Sequence, residues 1–356
     1  TKHLLNIMEI IEQQENEIRL ETGIALGKIC KIIKTKVIQY LDDYQQSVIS
    51  LLTIVKYIEN EINNCDLLRN NNYNPIAFPV GVSVNNVCAH DTCVSESDNR
   101  VFNIESDLIK IDFGIQLDGI IIDNAISYSR NKDYIDLINA SKHMVTVITE
   151  NIKKGDRIWD IQKLAEEALD NFNTNKGTNF VAISNLAGHQ IDKYQIHAHP
   201  NQLIYPNCLV NNDKLTEIKG DSFYAIEFFV SNGDNKFPVM EIDQDKNSHF
   251  MVNKIKLAKL KKMKIYNSDF DKIRHIILDN FGTLAFCQRF IADKLDLSYL
   301  SDKYLIINEA LEWFFGLEIL SKYPPVLDIN PKAVVSQHEE TIYIPVYRNK
   351  QTLVLS

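Results

Sequence analysis

The stretch Leu108–Ser127, LIKIDFGIQLDGIIIDNAIS, constrains this chain more than any other. Two runs of apolar and β-branched residues flank Asp118-Gly119, a dipeptide suited to the positive φ angles of a tight hairpin turn. A two-residue loop there sets Leu117 opposite Ile120 and Gly114 opposite Asp123. Asp112, two residues from Gly114, then shares a face with Asp123, with Cα atoms roughly 7–8 Å apart. Ile111, Phe113, Ile115, Leu117, Ile120, Ile122 and Ile126 line the other face, which must be buried. This pattern sets the register, because a one-residue slip would turn both aspartates into the core. Two carboxylates so close need a cation between them, or a proton on one. A solvated outer face that holds two acids by chance is the simpler alternative.

At 356 residues the chain has room for one large domain or two smaller ones. Its net charge of −9 argues against a non-specific nucleic-acid binder or an anionic-membrane binder. No apolar run approaches the roughly 20 residues that span a bilayer. Thr1-Lys2-His3 leads directly into a helical pattern, with no secretory signal. Cysteines 30, 65, 88, 93, 208 and 287 are scattered, which points to a reducing compartment and a cytoplasmic protein. Cys88-Ala-His90-Asp-Thr-Cys93 contains ligand-type residues, but its spacing fits no zinc ribbon and no second pair exists.

Residues 3 to about 66 carry helical spacing (Leu4, Leu5, Ile7, Met8, Ile11, then Ile24, Ile29, Ile32, Ile33, Val37, Leu41), with a second helix over Val48–Asn64. A polar loop at Arg69–Pro75 precedes a strand at Phe78–Val84. Tyr134–Lys153 and Ile158–Phe172 read as amphipathic helices, the first lined by Ile135, Ile138, Val145 and Ile148. Short strands follow from Asn185 to Leu203, then a strand at Ser222–Val230 in which Glu227 interrupts bulky apolar residues. A carboxylate there is costly unless paired or bound to metal. Asp234–Asn247 is irregular, Ile255 to about Tyr323 is mostly helical, and Val334–Tyr347 returns to strand. The lysines from Lys254 to Lys264 read as a solvated face rather than a nucleic-acid patch.

Five strand segments each carry one ligand-type residue: Asp112, Asp123, His189, Glu227 and Glu339. Four carboxylates and one imidazole balance two divalent cations, and bridging carboxylates can hold such ions roughly 3.5–4 Å apart. Oxygen-rich ligation with one nitrogen suits Mn²⁺, Fe²⁺, Co²⁺ or Zn²⁺.

These residues stand in stretches that resemble the type 2 methionine aminopeptidases, of the pita-bread (creatinase/aminopeptidase) fold. The stretches are Phe78–His90, Lys110-Ile-Asp-Phe-Gly, Ile121-Ile-Asp-Asn-Ala, Gly188-His through Ile196-His197, Tyr224-Ala-Ile-Glu, Asn280–Phe286, Tyr323-Pro-Pro and Gln337-His-Glu-Glu-Thr-Ile. They run in the family's order along nearly the whole chain. The resemblance implies an α+β fold, an antiparallel sheet covered by helices. It implies a single catalytic domain over 1–356, with an N-terminal helical part (1–75) and a helical insertion (250–322). It further implies that Asp112 holds one ion, that Asp123 and Glu339 bridge two, and that His189 and Glu227 hold the other. His90 and His197 would contact the scissile peptide, and Phe78, Ile196, His249, Ala285 and Tyr323 would surround the methionine side chain.

The expected activity is metal-dependent removal of methionine from peptides and nascent proteins whose second residue is small. A hydroxide bridging two divalent ions would attack, with Glu227 moving the proton. A monomer is expected, with no nucleic-acid or membrane partner. Ala187-Gly-His, in place of the family's Asn-Gly-His, and Ala198-His199-Pro200, in place of a glycine-containing turn, depart from the pattern. So does a Tyr323–Glu339 stretch one residue longer than usual. A silent pita-bread scaffold that binds RNA or protein is one rival reading. A prolidase or aminopeptidase P is another, against which the Gly188-His to Ile196-His197 spacing argues.

Overall fold

The structure, a computed structural model, describes residues 2–356 except 70, 199–202, 207–215, 235–238, 241–245 and 297–302. Side chains are described from residue 14 onward, apart from 239 and 240. Helix α1 (Lys2–Asp42), strand β1 (Val48–Ser50) and helix α2 (Leu51–Asn63) open the chain. Next come β2 (Ile76–Val84), β3 (Val87–Ala89), β4 (Val101–Asn103), β5 (Ile109–Leu117) and β6 (Ile120–Tyr128). Helices α3 (Ile135–Asn151) and α4 (Ile158–Lys176) follow, then β7 (Val181–Ala182), β8 (Gly188–Ile191), β9 (Leu203–Ile204) and β10 (Ser222–Ser231). After β11 (Val239–Met240) and β12 (His249–Val252) come α5 (Leu257–Lys262), α6 (Ser268–Asn280), α7 (Gln288–Ala292) and α8 (Lys303–Gly316). The chain closes with β13 (Leu320–Tyr323), β14 (Val326–Leu327), β15 (Val335–Ile344) and β16 (Leu353–Val354).

The expected hairpin is β5–β6, paired Leu117 with Ile120 and Gly114 with Asp123. Asp118 and Gly119 take φ of 49° and 88°, as a two-residue hairpin turn requires. Tyr194 N–H donates to the Gly119 carbonyl, and a Cβ on Gly119 would meet the Tyr194 ring at 2.6 Å. Ile111, Phe113, Ile115, Ile122 and Ile126 of the apolar face are buried, with Leu117 and Ile120 half-buried at the turn. On the other face Lys110, Gln116 and Ala125 are wholly covered. A solvated outer face is therefore excluded.

The hairpin belongs to an antiparallel sheet ordered β2-β5-β6-β15-β10-β8-β9, with β16 on β15 and β7 on β10. Helices α1 and α2 bury their apolar sides with β2, β5 and β6. Helices α3 and α4 do the same with β10 and β15. The buried stripe of α1 is Leu26, Cys30, Ile33, Val37 and Leu41, spaced by three and four. Ile32, expected on that stripe, is one step off it and 56% exposed. In α3 the stripe is Leu137, Ala140, Met144, Val145 and Ile148, while Ile135 at the first turn is 50% exposed. The second helix starts at Leu51 rather than Val48, because Val48–Ser50 finds a strand partner in β4.

The expected helical block between 250 and 322 contains α5–α8 among the described residues. It joins the α1–α2 core, and Arg289 of α7 forms a buried two-pronged ion pair with Glu59 of α2 (2.7 and 2.5 Å). Asp234–Asn247 lies largely outside the described residues.

Candidate metal centre

The sheet register assembles the site in rows. One row of cross-strand partners runs Gly81–Asp112–Ala125–Glu339–Glu227, from β2 through β5, β6 and β15 to β10. The adjacent row holds Phe78–Gly114–Asp123 on one side and Thr341–Ala225–His189 on the other. Within β5, β6, β15 and β10 the two rows differ by two residues, so their side chains share one face. A register shift in β2 between Phe78 and Gly81 brings Phe78 opposite Gly114. Gly81, Gly114, Ala125 and Ala225 stand beside the ligand-type residues in these rows and leave them room. A Cβ on Gly114 would lie 2.3 Å from the Phe78 ring, so glycine is what admits that ring.

The five expected ligands, Asp112, Asp123, His189, Glu227 and Glu339, meet on this face. His189 Nε2 lies 3.6 Å from Asp123 Oδ2 and 3.9 Å from Glu227 Oε1. Potential ligand atoms of Asp123, His189 and Glu339 fall within 4.8 Å of one another. Gln337, two residues before Glu339 and so on the same face, points its amide at Asp112 Oδ2 (3.2 Å) and Glu227 Oε2 (3.3 Å). Asp112 Oδ1, Asp123 Oδ1, Glu339 Oε1 and His189 Nδ1 are buried with no hydrogen-bond partner. Buried polar atoms are rarely left so. Three orphaned carboxylate oxygens, with His189 Nε2 facing the same acids, fit a centre for a divalent cation with oxygen-rich, one-nitrogen ligation.

The electrostatics agree. Burial first, then the charge of its neighbours, raises Asp123, Glu227 and Glu339 well above the usual carboxylate range. Burial pushes Asp112 up to about 7, against the Gln337 amide. Acids crowded this way cannot all ionise without cations among them. Burial lowers His189 far below its ordinary value, helped by His197. It brings His90 and His197 down to about 4 and His249 to about 3. All four imidazoles are neutral at pH 7, as metal ligands or neutral hydrogen-bonding groups must be.

One pocket is lined by all twelve expected residues: the five ligands with His90, His197, Phe78, Ile196, His249, Ala285 and Tyr323. His197 packs edge-on against His189 (4.4 Å between centroids), and His90 against Tyr323 (5.8 Å). His249 is tied to Ser248 Oγ (2.8 Å) and the Pro79 carbonyl (3.2 Å), while His90 Nδ1 is unpartnered. Leu186, Phe229 and Met251 also line the pocket and were not anticipated; neither was Gln337. Two-residue spacing on a strand would have found Gln337 from Glu339 and Phe229 from Glu227. The same spacing on β12 would have found Met251 from His249, whereas Leu186 gave no such signal. Cys88 and Cys93 take no part in the ligand group and are buried free thiols. His199 and Pro200 lie outside the described residues.

Residues 26–245 match the model of metallopeptidase family M24. The chain is 32% identical over 298 residues to methionine aminopeptidase 2 of Encephalitozoon hellem, an alignment covering 83% of this chain and 76% of that one. Its fold is similar to that of a thermophilic Arx1 (TM-score 0.67, 15% identity, 91% and 89% of the two chains). It is also similar to methionine aminopeptidase from Rickettsia prowazekii (TM-score 0.57, 14% identity, 95% and 97%).

Proposed function

The chain belongs to metallopeptidase family M24, in its type 2 methionine aminopeptidase branch, and we propose how this pita-bread hydrolase removes N-terminal methionine. The observation that carries the reading is the group of orphaned carboxylate oxygens on β5, β6 and β15, with His189 of β8 beside them. In it, Asp112 would hold one of two divalent ions (Mn²⁺, Fe²⁺, Co²⁺ or Zn²⁺), His189 and Glu227 would hold the other, and Asp123 and Glu339 would be shared between them. When bound, such ions would lower the pKa of a water so that it could attack, and would lend Lewis acidity toward the scissile carbonyl.

The chain's own residues do the rest. Phe78, Ile196, His249, Ala285 and Tyr323, with Leu186, Phe229 and Met251, receive the methionine side chain in a mostly apolar pocket. His90 and His197, held neutral by burial, donate hydrogen bonds to the substrate carbonyl as negative charge develops on it. Glu227 takes the proton from the attacking water and returns it to the departing amine. A small second residue, nascent chains as clients, a monomer and a cytoplasmic location complete the reading. So does one catalytic domain, 1–356, with 1–75 and 250–322 as its N-terminal helical part and insertion.

The test is release of methionine from Met-Ala-Ser before chelation, after it, and after adding back Mn²⁺, Fe²⁺ or Co²⁺. Release that stops on chelation and returns with metal supports the reading. No release with any of the three defeats it, and faster cleavage of an X-Pro peptide would favour a prolidase.

A further inference from the structure

Strands β6 and β15 carry Asp123 and Glu339, yet their backbones pair directly only at Ala125–Glu339 and Asn124–Glu340. Two residues to either side of Ala125–Glu339, a side-chain hydroxyl stands between the strands. On one side Thr341 Oγ1 accepts from the Asp123 N–H (2.8 Å) and donates to the Asp123 carbonyl (2.7 Å). On the other, Ser127 Oγ accepts from the Gln337 N–H (2.8 Å) and donates to the Gln337 carbonyl (2.9 Å). Each strand contributes one hydroxyl, and the direct pair lies midway between them.

Thr341 is where β15 changes partner. Its N–H donates to Ser356 Oγ (2.8 Å), and its carbonyl accepts from the Leu355 N–H (2.9 Å). From Ile342 onward β15 pairs with β16. The backbone of Thr341 has thus moved to the new neighbour, while its hydroxyl stays with the old one.

Satisfying buried backbone groups does not by itself require this arrangement. Thr341 is in register with Asp123, and Ser127 with Gln337, so ordinary ladder bonds could have formed. In each case one side-chain hydroxyl takes both backbone groups of the facing residue, in place of a direct backbone-to-backbone bond. Direct pairing is thus confined to Ala125–Glu339 and Asn124–Glu340, and hydroxyls take over at Asp123 and at Gln337. Asp123 occupies one hydroxyl-bridged row, Gln337 the other, and Glu339 the directly paired row between them.

We propose that Thr341, together with Ser127, is a positioning residue: the two hydroxyls set the gap between β6 and β15 that lets Asp123 and Glu339 reach the same two ions. This rests on the two-ion reading above.

The test uses Thr341→Val and Thr341→Ser, each prepared metal-free, checked for folding by circular dichroism and titrated with Mn²⁺. Ions bridged by shared carboxylates give an exchange-coupled electron paramagnetic resonance signal, and separated ions do not. The unaltered protein and T341S are expected to show the coupled signal. T341V is expected to bind its first ion normally and its second about 10–100-fold more weakly, with the coupled signal lost. A normal coupled signal and normal second-ion affinity in T341V overturn the proposal. If T341V does not fold, Ser127→Ala, which removes the other hydroxyl, carries the same expectation and the same refutation. A coupled pair absent from the unaltered protein overturns the two-ion reading and this proposal with it. A coupled pair indifferent to these substitutions overturns the proposal alone.

Discussion

Asp112, Asp123, Glu227 and Glu339 bind protons more tightly in the folded chain than an unfolded chain would. A group whose folded pKa is raised stabilises the fold below its unfolded pKa and loses that contribution as pH rises through the folded value. The buried histidines, shifted down, oppose this below about pH 6.5 and are silent above it. The chelated protein is therefore expected to melt at lower temperature as pH rises from about 6.5 to 8, whereas the Mn²⁺-loaded protein does not. Differential scanning calorimetry at matched ionic strength reads this, and a flat profile after chelation would contradict the charge assignment. Asp112→Asn is expected to keep the fold and bring metal content near zero by elemental analysis. His90→Ala is expected to keep the metal and lose about 10²–10³ in kcat. Loss of metal in H90A would mean that His90 is a ligand.

The hairpin β5–β6 carries two of the acids, and its turn is held by the segment that carries Ile196 and His197. Gly119 needs both its positive φ and its missing side chain, since Tyr194 lies against it and bonds its carbonyl. Gly119→Ala is expected to cost about 1–3 kcal/mol in urea unfolding, from left-handed strain and displacement of the ring. The Michaelis constant for Met-Ala-Ser should rise as well, because the displaced turn leads into Ile196 and His197. Unchanged stability would show that the turn is more compliant than its contacts suggest.

Across the whole molecule, the helices after β12 are fastened to the N-terminal part through Glu59 and Arg289, whose side chains are 9% and 2% exposed. Arg289 also donates to the Cys93 carbonyl (3.1 Å). Arg289→Met strands a buried carboxylate and is expected to cost about 3–5 kcal/mol. Adding Glu59→Gln should recover much of that loss, since a neutral amide tolerates the site better than an unpaired charge. A double-mutant cycle by chemical denaturation measures the coupling, and purely additive losses would show that the pair contributes little.

The sequence by itself determined the hairpin, its register and the shared face of Asp112 and Asp123. Alternation and turn chemistry act over a few residues and leave one solution. It also carried the ligand types, and the motif resemblance joined them into one site. What lay beyond it was which strands become neighbours. Glu227 meets Glu339 only because β15 is inserted between β6 and β10, and His189 meets Ala225 only because β8 pairs along the other side of β10. That choice depends on long-range pairing and on which helix covers which face. The same holds for the stripes of α1 and α3, where several apolar residues compete and the sheet beneath selects those that are buried. The hydroxyls of Thr341 and Ser127 became legible as spacers only once the strands were side by side. A serine or threonine in a strand gives no local sign of whether it bonds its own backbone, a neighbour's or water.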